Sequence, residues 1–202
     1  MLFKTLAGHA GFEAEYVTGK VRDELGMFDG DSHAWNAVRI EDRWFLLDAT
    51  WNSSHGGREP RPPSTDYLFT PPAVFGMDHF PRETEWQLRD EPLTRGEFIR
   101  QPILSPRFYT QHLTLVDPRR SHLDVQGSVQ VQLTNPERRW MTASVEDEHG
   151  LRHDCGEPTN GHTSVLTCRL PQEGIFRLLM FSNAQRYGTY KYVGRFAVSS
   201  RY

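Results

Sequence analysis

The sequence predicts an α+β chain in two parts: a mixed helix-and-sheet unit over residues 1–100 and an antiparallel β-sandwich over residues 101–202. Three observations predict it. A helical spacing at the N-terminus gives way to runs of period two. The stretch from Asp31 to Trp51 reads as a hairpin with His33 at one end and Asp48 at the other. From Phe108 onward, short alternating runs separated by turn signals dominate.

In chain order, Leu2, Phe3, Leu6 and Ala10 keep a helical spacing, and Gly8 and Gly11 suit the end of that helix. The stripe Leu2, Phe3 and Leu6 is expected to pack on the following sheet. Glu13 to Gly19 reads as a strand, and Gly26 to Gly30 as a glycine-rich loop. Ala34, Asn36, Val38 and Ile40 then alternate with Trp35, Ala37 and Arg39. A polar break, Glu41-Asp42-Arg43, separates this run from Trp44-Phe45-Leu46-Leu47, which ends at Asp48. Residues at the outer ends of two antiparallel strands sit close together. The His33 imidazole and the Asp48 carboxylate are therefore expected within hydrogen-bonding distance, ~2.6–3.2 Å.

Ser53 to Ser64 is rich in Gly, Pro and Arg and reads as a loop beside that pair. Glu91 to Ser105 reads as a connector with a short helix over Thr94–Ile99. Five strands follow, Val125–Leu133, Met141–Val145, Ser164–Leu170, Ile175–Phe181 and Tyr190–Val198. Asn135-Pro136, His149-Gly150, Asn160-Gly161 and Glu173-Gly174 punctuate them. The size is that of an immunoglobulin-like sandwich, without its Cys-Trp-Cys layout.

Composition narrows the function classes. A net charge of −3 gives no basic field, so nucleic acid is not the expected partner. No apolar run is long enough to span a bilayer, and no signal-peptide pattern opens the chain. Two cysteines in 202 residues fit a reducing, cytoplasmic compartment; a Cys155–Cys168 disulfide would need an oxidising one. The glycosylation pattern Asn52-Ser53-Ser54 is discounted for want of a secretion signal.

His33 and Asp48 are the candidate catalytic residues. A histidine with a carboxylate on one ring nitrogen has a fixed tautomer and a stabilised cation, and its other nitrogen can serve a nucleophile. A cysteine paired with such a histidine becomes a thiolate near neutral pH. Trp35 and Trp51 are candidate substrate-binding aromatics, with Trp44 assigned to the core. Other groups carry less. His149, His153 and Cys155 lack zinc spacing and read as a solvated loop. Asp78-His79 reads as a structural turn, and Tyr187-Gly188-Thr189-Tyr190-Lys191-Tyr192 as a sheet edge. No metal and no other cofactor is expected, and no acidic loop has calcium spacing.

Ser32-His33-Ala34-Trp35-Asn36, followed by Arg43-Trp44-Phe45-Leu46-Leu47-Asp48-Ala49-Thr50-Trp51, resembles the histidine and aspartate motifs of the transglutaminase-like superfamily. Asp66 to Leu88, including His79-Phe80-Pro81 and Trp86-Gln87-Leu88, resembles the segment after that core in the kyphoscoliosis peptidase and hillarin-like family. The resemblance implies a papain-like core with a Cys-His-Asp triad. His33 would be its general base and Asp48 its orienting carboxylate. The implied activity is acyl chemistry on protein amides, either hydrolysis or glutamine transamidation. The family's cysteine opens a helix just upstream of a segment like Met1 to Gly11, whereas the cysteines here lie far downstream. Three readings stay open: a truncated enzyme, a natural interaction module docking a cytoskeletal or other intracellular protein, or a nucleophile supplied by Cys155 or Cys168. The first two imply no turnover from this chain alone. Truncation also implies that residues 1–100 unfold before the sandwich.

Overall fold

The computed structural model describes residues 2–22, 32–53 and 64–201, which form mostly antiparallel sheets with few helices. The Gly26–Gly30 reading lies outside the described residues, as do most of the Ser53–Ser64 loop and part of the Asn52-Ser53-Ser54 pattern. The chain divides into two compact units, Met1–Phe98 and Ile99–Tyr202.

The first unit begins with α1 (Leu2–His9). Its buried face is Ala7 with Phe3, four residues apart, packed on Ala14, Val38 and Leu47. Leu2 and Leu6 are 73% and 57% exposed, so the expected stripe is corrected. Each residue turns the helix by about 100°, and the face one step round from Leu2 and Leu6 is the one that meets the sheet.

The sheet itself is built from β1 (Glu13–Val21), β2 (Ser32–Ile40) and β3 (Arg43–Leu47). Ile40 pairs with Arg43 across a two-residue turn, with Glu41 left-handed at φ 55°. The polar break is therefore one residue shorter than the sequence suggests. After α2 (Ala49–Asn52) come β4 (Leu68–Thr70), α3 (Pro72–Phe75), β5 (His79–Pro81) and a 3₁₀ turn over Thr84–Gln87. Strand order is β4-β3-β2-β1-β5, with antiparallel pairing throughout. The Asp66–Leu88 segment, which the resemblance placed after the core, thus supplies both edges of the sheet.

Alternation along β2 divides its side chains between two apolar clusters. Trp35 and Ala37 join Val17, Leu46 and Phe75; Val38 joins Ala7, Ala14 and Leu47. Both faces are covered, which is why four consecutive residues, Trp35 to Val38, are buried. Gly19 lies where a Cβ would collide with the Trp35 ring and the β5 backbone, so this crossing requires glycine. The short helix α4 (Arg95–Arg100) starts at a reciprocal cap, Thr94 N–H to Glu97 at 2.8 Å and Glu97 N–H to Thr94 Oγ1 at 3.3 Å.

The second unit contains β6 (Ile103–Leu104), α5 (Pro106–Thr110), β7 (Thr114–Asp117), β8 (His122–Gln126), β9 (Ser128–Thr134) and β10 (Trp140–Asp147). It continues with β11 (Arg152–Asp154), β12 (Thr163–Arg169), β13 (Gly174–Asn183) and β14 (Lys191–Arg201). One sheet runs β11-β10-β13-β14-β6, with β8 joining β14 in parallel; the other runs β12-β9-β7. Inward residues of both sheets form one core, including Val131 and Leu133, Met141 and Val145, Leu178 and Met180, and Phe196 and Val198. The run read as one strand over Val125–Leu133 breaks at Gly127, whose φ of 65° ends β8 in one sheet and starts β9 in the other.

Cys155 and Cys168 are joined in a disulfide, where the sequence suggested reduced thiols. The bond removes Cys155 from any metal set with His149 and His153, and His153 sits in β11 opposite Val145. No helix among the described residues is long and apolar enough to cross a membrane.

Candidate functional site

The apolar run of β3 stops at Leu47, and Asp48 then turns the chain into α2. It does so as the helix N-cap, with an extended backbone at φ −120° and ψ 100°. Its Oδ1 accepts the amides of Thr50 at 2.8 Å and Trp51 at 3.0 Å. Its own amide donates to Tyr67 O at 2.9 Å. Strand parity leaves the side chain on the Trp35 and Ala37 face, fully buried.

His33, the second residue of β2, lies on the same face and carries its ring over the end of the strand. The His33 Nε2–Asp48 Oδ2 distance is 2.6 Å, inside the range that hairpin geometry leads one to expect. The His33 side chain is 19% exposed, and its Nδ1 has no hydrogen-bond partner among the described residues.

A second histidine shares the carboxylate. His79 Nε2 lies 3.1 Å from the same Asp48 Oδ2, and His79 Nδ1 lies 2.6 Å from Asp78 Oδ1. Tyr67 donates its hydroxyl to Asp78 Oδ2. The His79 ring is buried among Phe75, Trp51, Trp35 and Tyr67, at centroid distances of 4.1, 4.4, 5.0 and 5.4 Å. Asp78-His79 therefore lies within this cluster, where the sequence favoured a structural turn over a second catalytic pair. The signal was weak because the pairing that delivers it, Val21 with His79, spans most of the unit.

The tryptophans also sort differently from expectation. Trp35, read as a substrate-binding aromatic, is 2% exposed and forms the floor beneath His33 and His79. Trp51 is half-buried and stands beside both rings, 5.7 Å from His33 and 4.4 Å from His79. Trp44, assigned to the core, is only partly buried and meets Trp86 edge-on at 5.2 Å.

Charge follows from these contacts. Burial alone would raise the Asp48 carboxyl. Hydrogen bonds from His33, His79 and the Trp51 amide, with the His79 charge, outweigh it and hold Asp48 well below the usual carboxylate range. Burial would likewise discharge His79. The charge of Asp78 and hydrogen bonds to Asp48 and Asp78 prevail and raise its pKa. A neutral ring would also turn a lone pair toward one of the two carboxylates. His79 is thus held as a buried imidazolium.

Stability inherits opposite slopes from the two groups. The Asp48 contribution is present above the unfolded carboxylate value, ~3.9, and is lost as pH falls below it. The His79 contribution is complete below the unfolded histidine value, ~6.5, and is lost as pH rises through the raised folded value. Urea unfolding of the N-terminal unit, followed across pH, is expected to show maximal stability between about pH 4 and 6.5 and a decline above it. His79→Gln should remove the alkaline decline. An unchanged slope in that variant would mean His79 is not the titrating group.

His33, Asp48 and His79 offer ligand atoms within 4.8 Å of one another, a spacing that a metal ion could use. The contacts fit hydrogen bonds better. At tetrahedral angles with bonds of ~2.0 Å, two ligand atoms of one zinc ion lie ~3.3 Å apart, and the 2.6 Å contact is much closer. Zinc ligation would also need His79 neutral.

Comparison with known proteins bears on this arrangement. Residues 1–49 match the model of the transglutaminase-like superfamily. Kyphoscoliosis peptidase of Mus musculus is 28% identical over 162 residues, covering 74% of this chain and 24% of that protein. Its Homo sapiens counterpart is 29% identical over the same shares. Hillarin of Drosophila melanogaster is 26% identical over 221 residues, covering 91% of this chain and 27% of hillarin. The chain spans about a quarter of the length of these relatives.

Proposed function

We propose that the chain is a transglutaminase-like protein whose residues 1–98 carry the base and orienter of a cysteine-type acyl-transfer site, a reading supported by the superfamily match over residues 1–49 and by the similarity to kyphoscoliosis peptidase and hillarin. The unit is read as a papain-like core and the second unit as an immunoglobulin-like β-sandwich. The observation that carries the reading is the 2.6 Å contact of His33 Nε2 with Asp48, with His33 Nδ1 unengaged among the described residues. In the proposed mechanism Nδ1 takes the thiol proton as sulfur attacks a protein amide carbonyl. His33 then returns that proton to the leaving amine. Water or a second amine, deprotonated by His33, releases the acyl group. Asp48 holds the tautomer and the transient imidazolium.

The thiol is not free in this chain, because its two cysteines are bonded to each other. The disulfide sets aside Cys155 and Cys168 as the nucleophile, and the second reading is a non-catalytic module that docks a protein partner, cytoskeletal by resemblance. Either way, the purified polypeptide is expected to show no casein hydrolysis and no amine incorporation. Turnover that disappears in the Cys155→Ala/Cys168→Ala double variant would contradict this.

The two readings separate in a graft. Residues 2–98 would replace the aligned segment of mouse kyphoscoliosis peptidase, which supplies the family's cysteine. A competent His33–Asp48 pair should keep peptide hydrolysis within about tenfold of the parent. A folded but inactive graft would favour the interaction module.

A further inference from the structure

Resting on the acyl-transfer reading, the geometry points to His79 as a positioning residue for the His33–Asp48 pair: a buried imidazolium clamped between Asp48 and Asp78 that fixes Asp48 Oδ2 on His33.

Four contacts define the Asp48 carboxylate. Two amides hold Oδ1, at 2.8 and 3.0 Å. They leave the group free to rock about its side-chain torsion unless Oδ2 is also held. His33 cannot do that alone, because it is the group to be positioned. His79 supplies the second, independent anchor at 3.1 Å, from a ring that is itself immobile. Its immobility comes from the wall of Phe75, Trp51, Trp35 and Tyr67, and from Asp78 on the far nitrogen at 2.6 Å. Tyr67 in turn tethers Asp78. The relay Tyr67–Asp78–His79–Asp48–His33 therefore runs from the interior to the partly exposed imidazole.

The charges explain why a histidine with its own carboxylate occupies this place. Among the described residues, the titratable groups around His79 are Asp48, Asp78, His33 and Tyr67, whose ring packs on it and whose hydroxyl bonds Asp78. A neutral donor would anchor Asp48 without offsetting its buried charge. The cation keeps Asp48 ionised, and Asp78 on the opposite nitrogen keeps the ring charged. Partners of this outer kind contribute about 10–100-fold to activity in metal sites, where they orient the groups that touch substrate. A similar scale is expected here.

Heteronuclear NMR of the histidine rings in the full chain tests the charge. One buried ring, assigned by its loss in His79→Gln, should still carry protons on both nitrogens above the ordinary histidine range. In Asp78→Asn the same ring stays packed but should lose one of them. A singly protonated His79 in the wild-type chain at about pH 7 overturns the proposal, whatever the graft does.

The graft then separates positioning from support. In Asp78→Asn, kcat should fall about 10–100-fold with KM unchanged, and the fall should deepen as pH rises. A graft that needs His33 but is indifferent to both Asp78→Asn and His79→Gln overturns the positioning role and leaves the acyl-transfer reading intact. A graft inactive with every residue in place overturns that reading instead.

Discussion

His33→Ala in the graft is expected to lower kcat/KM by about a thousandfold or more, with KM little changed. His33 is the residue the geometry places with one nitrogen committed to a buried carboxylate and the other uncommitted among the described residues. Without it, no group among the described residues stands in the same relation to Asp48 and to the partly open face. His79 cannot substitute, because both of its nitrogens are engaged by carboxylates and its ring is fully buried. The residual rate should come from binding and carbonyl polarisation. Steady-state peptide hydrolysis checks this. A loss smaller than about tenfold would remove His33 from the role of general base.

Asp48→Ala is expected to destabilise the N-terminal unit by about 3–5 kcal/mol. The substitution deletes the acceptor of two helix-opening amides and two imidazoles at a fully buried position. It leaves the His79 imidazolium with one carboxylate instead of two. A domain's total stability is ~5–15 kcal/mol, so the unit would lose a large part of its margin. Tryptophan fluorescence reports on the right place, since Trp35, Trp44, Trp51 and Trp86 lie in this unit and only Trp140 in the other. The urea midpoint should fall by about 2 M. Asp48→Asn keeps the shape and one acceptor oxygen and should cost less. A change under about 1 kcal/mol in the alanine variant would mean the carboxylate is not clamped as the contacts indicate.

The His33–Asp48 hairpin was legible because every determinant is local. Period-two alternation, a two-residue turn and an N-capping aspartate all fall within Ser32 to Asn52. The same local signals found β1, α4 and the long strands of the second unit. What escaped was non-local. β5 joins the sheet through Gly19, Lys20 and Val21, about sixty residues earlier in the chain. No spacing rule connects Asp78-His79 to Asp48, and an adjacent Asp and His beside proline looks like a turn. Helix α1 offered two overlapping stripes, Leu2 with Leu6 and Phe3 with Ala7. Hydrophobicity favours the leucines, but the register with the sheet buries the other pair. The depth of Trp35 escaped for a related reason. Alternation gives the face of a strand, whereas depth depends on what covers that face, here Phe75 and His79 over Trp35. Short edge strands such as β6, β7 and β11 are too brief to show a period.

The most direct measurement is the tautomer of the neutral His33 ring in the free polypeptide, read by NMR from its two ring nitrogens. It needs no thiol and no substrate. The structure predicts the proton on Nε2, protected from exchange by the bond to Asp48, and a bare lone pair on Nδ1, with the protection lost in Asp48→Asn. A proton on Nδ1 of the folded chain would contradict it, because the nitrogen meant to accept the thiol proton would already be occupied.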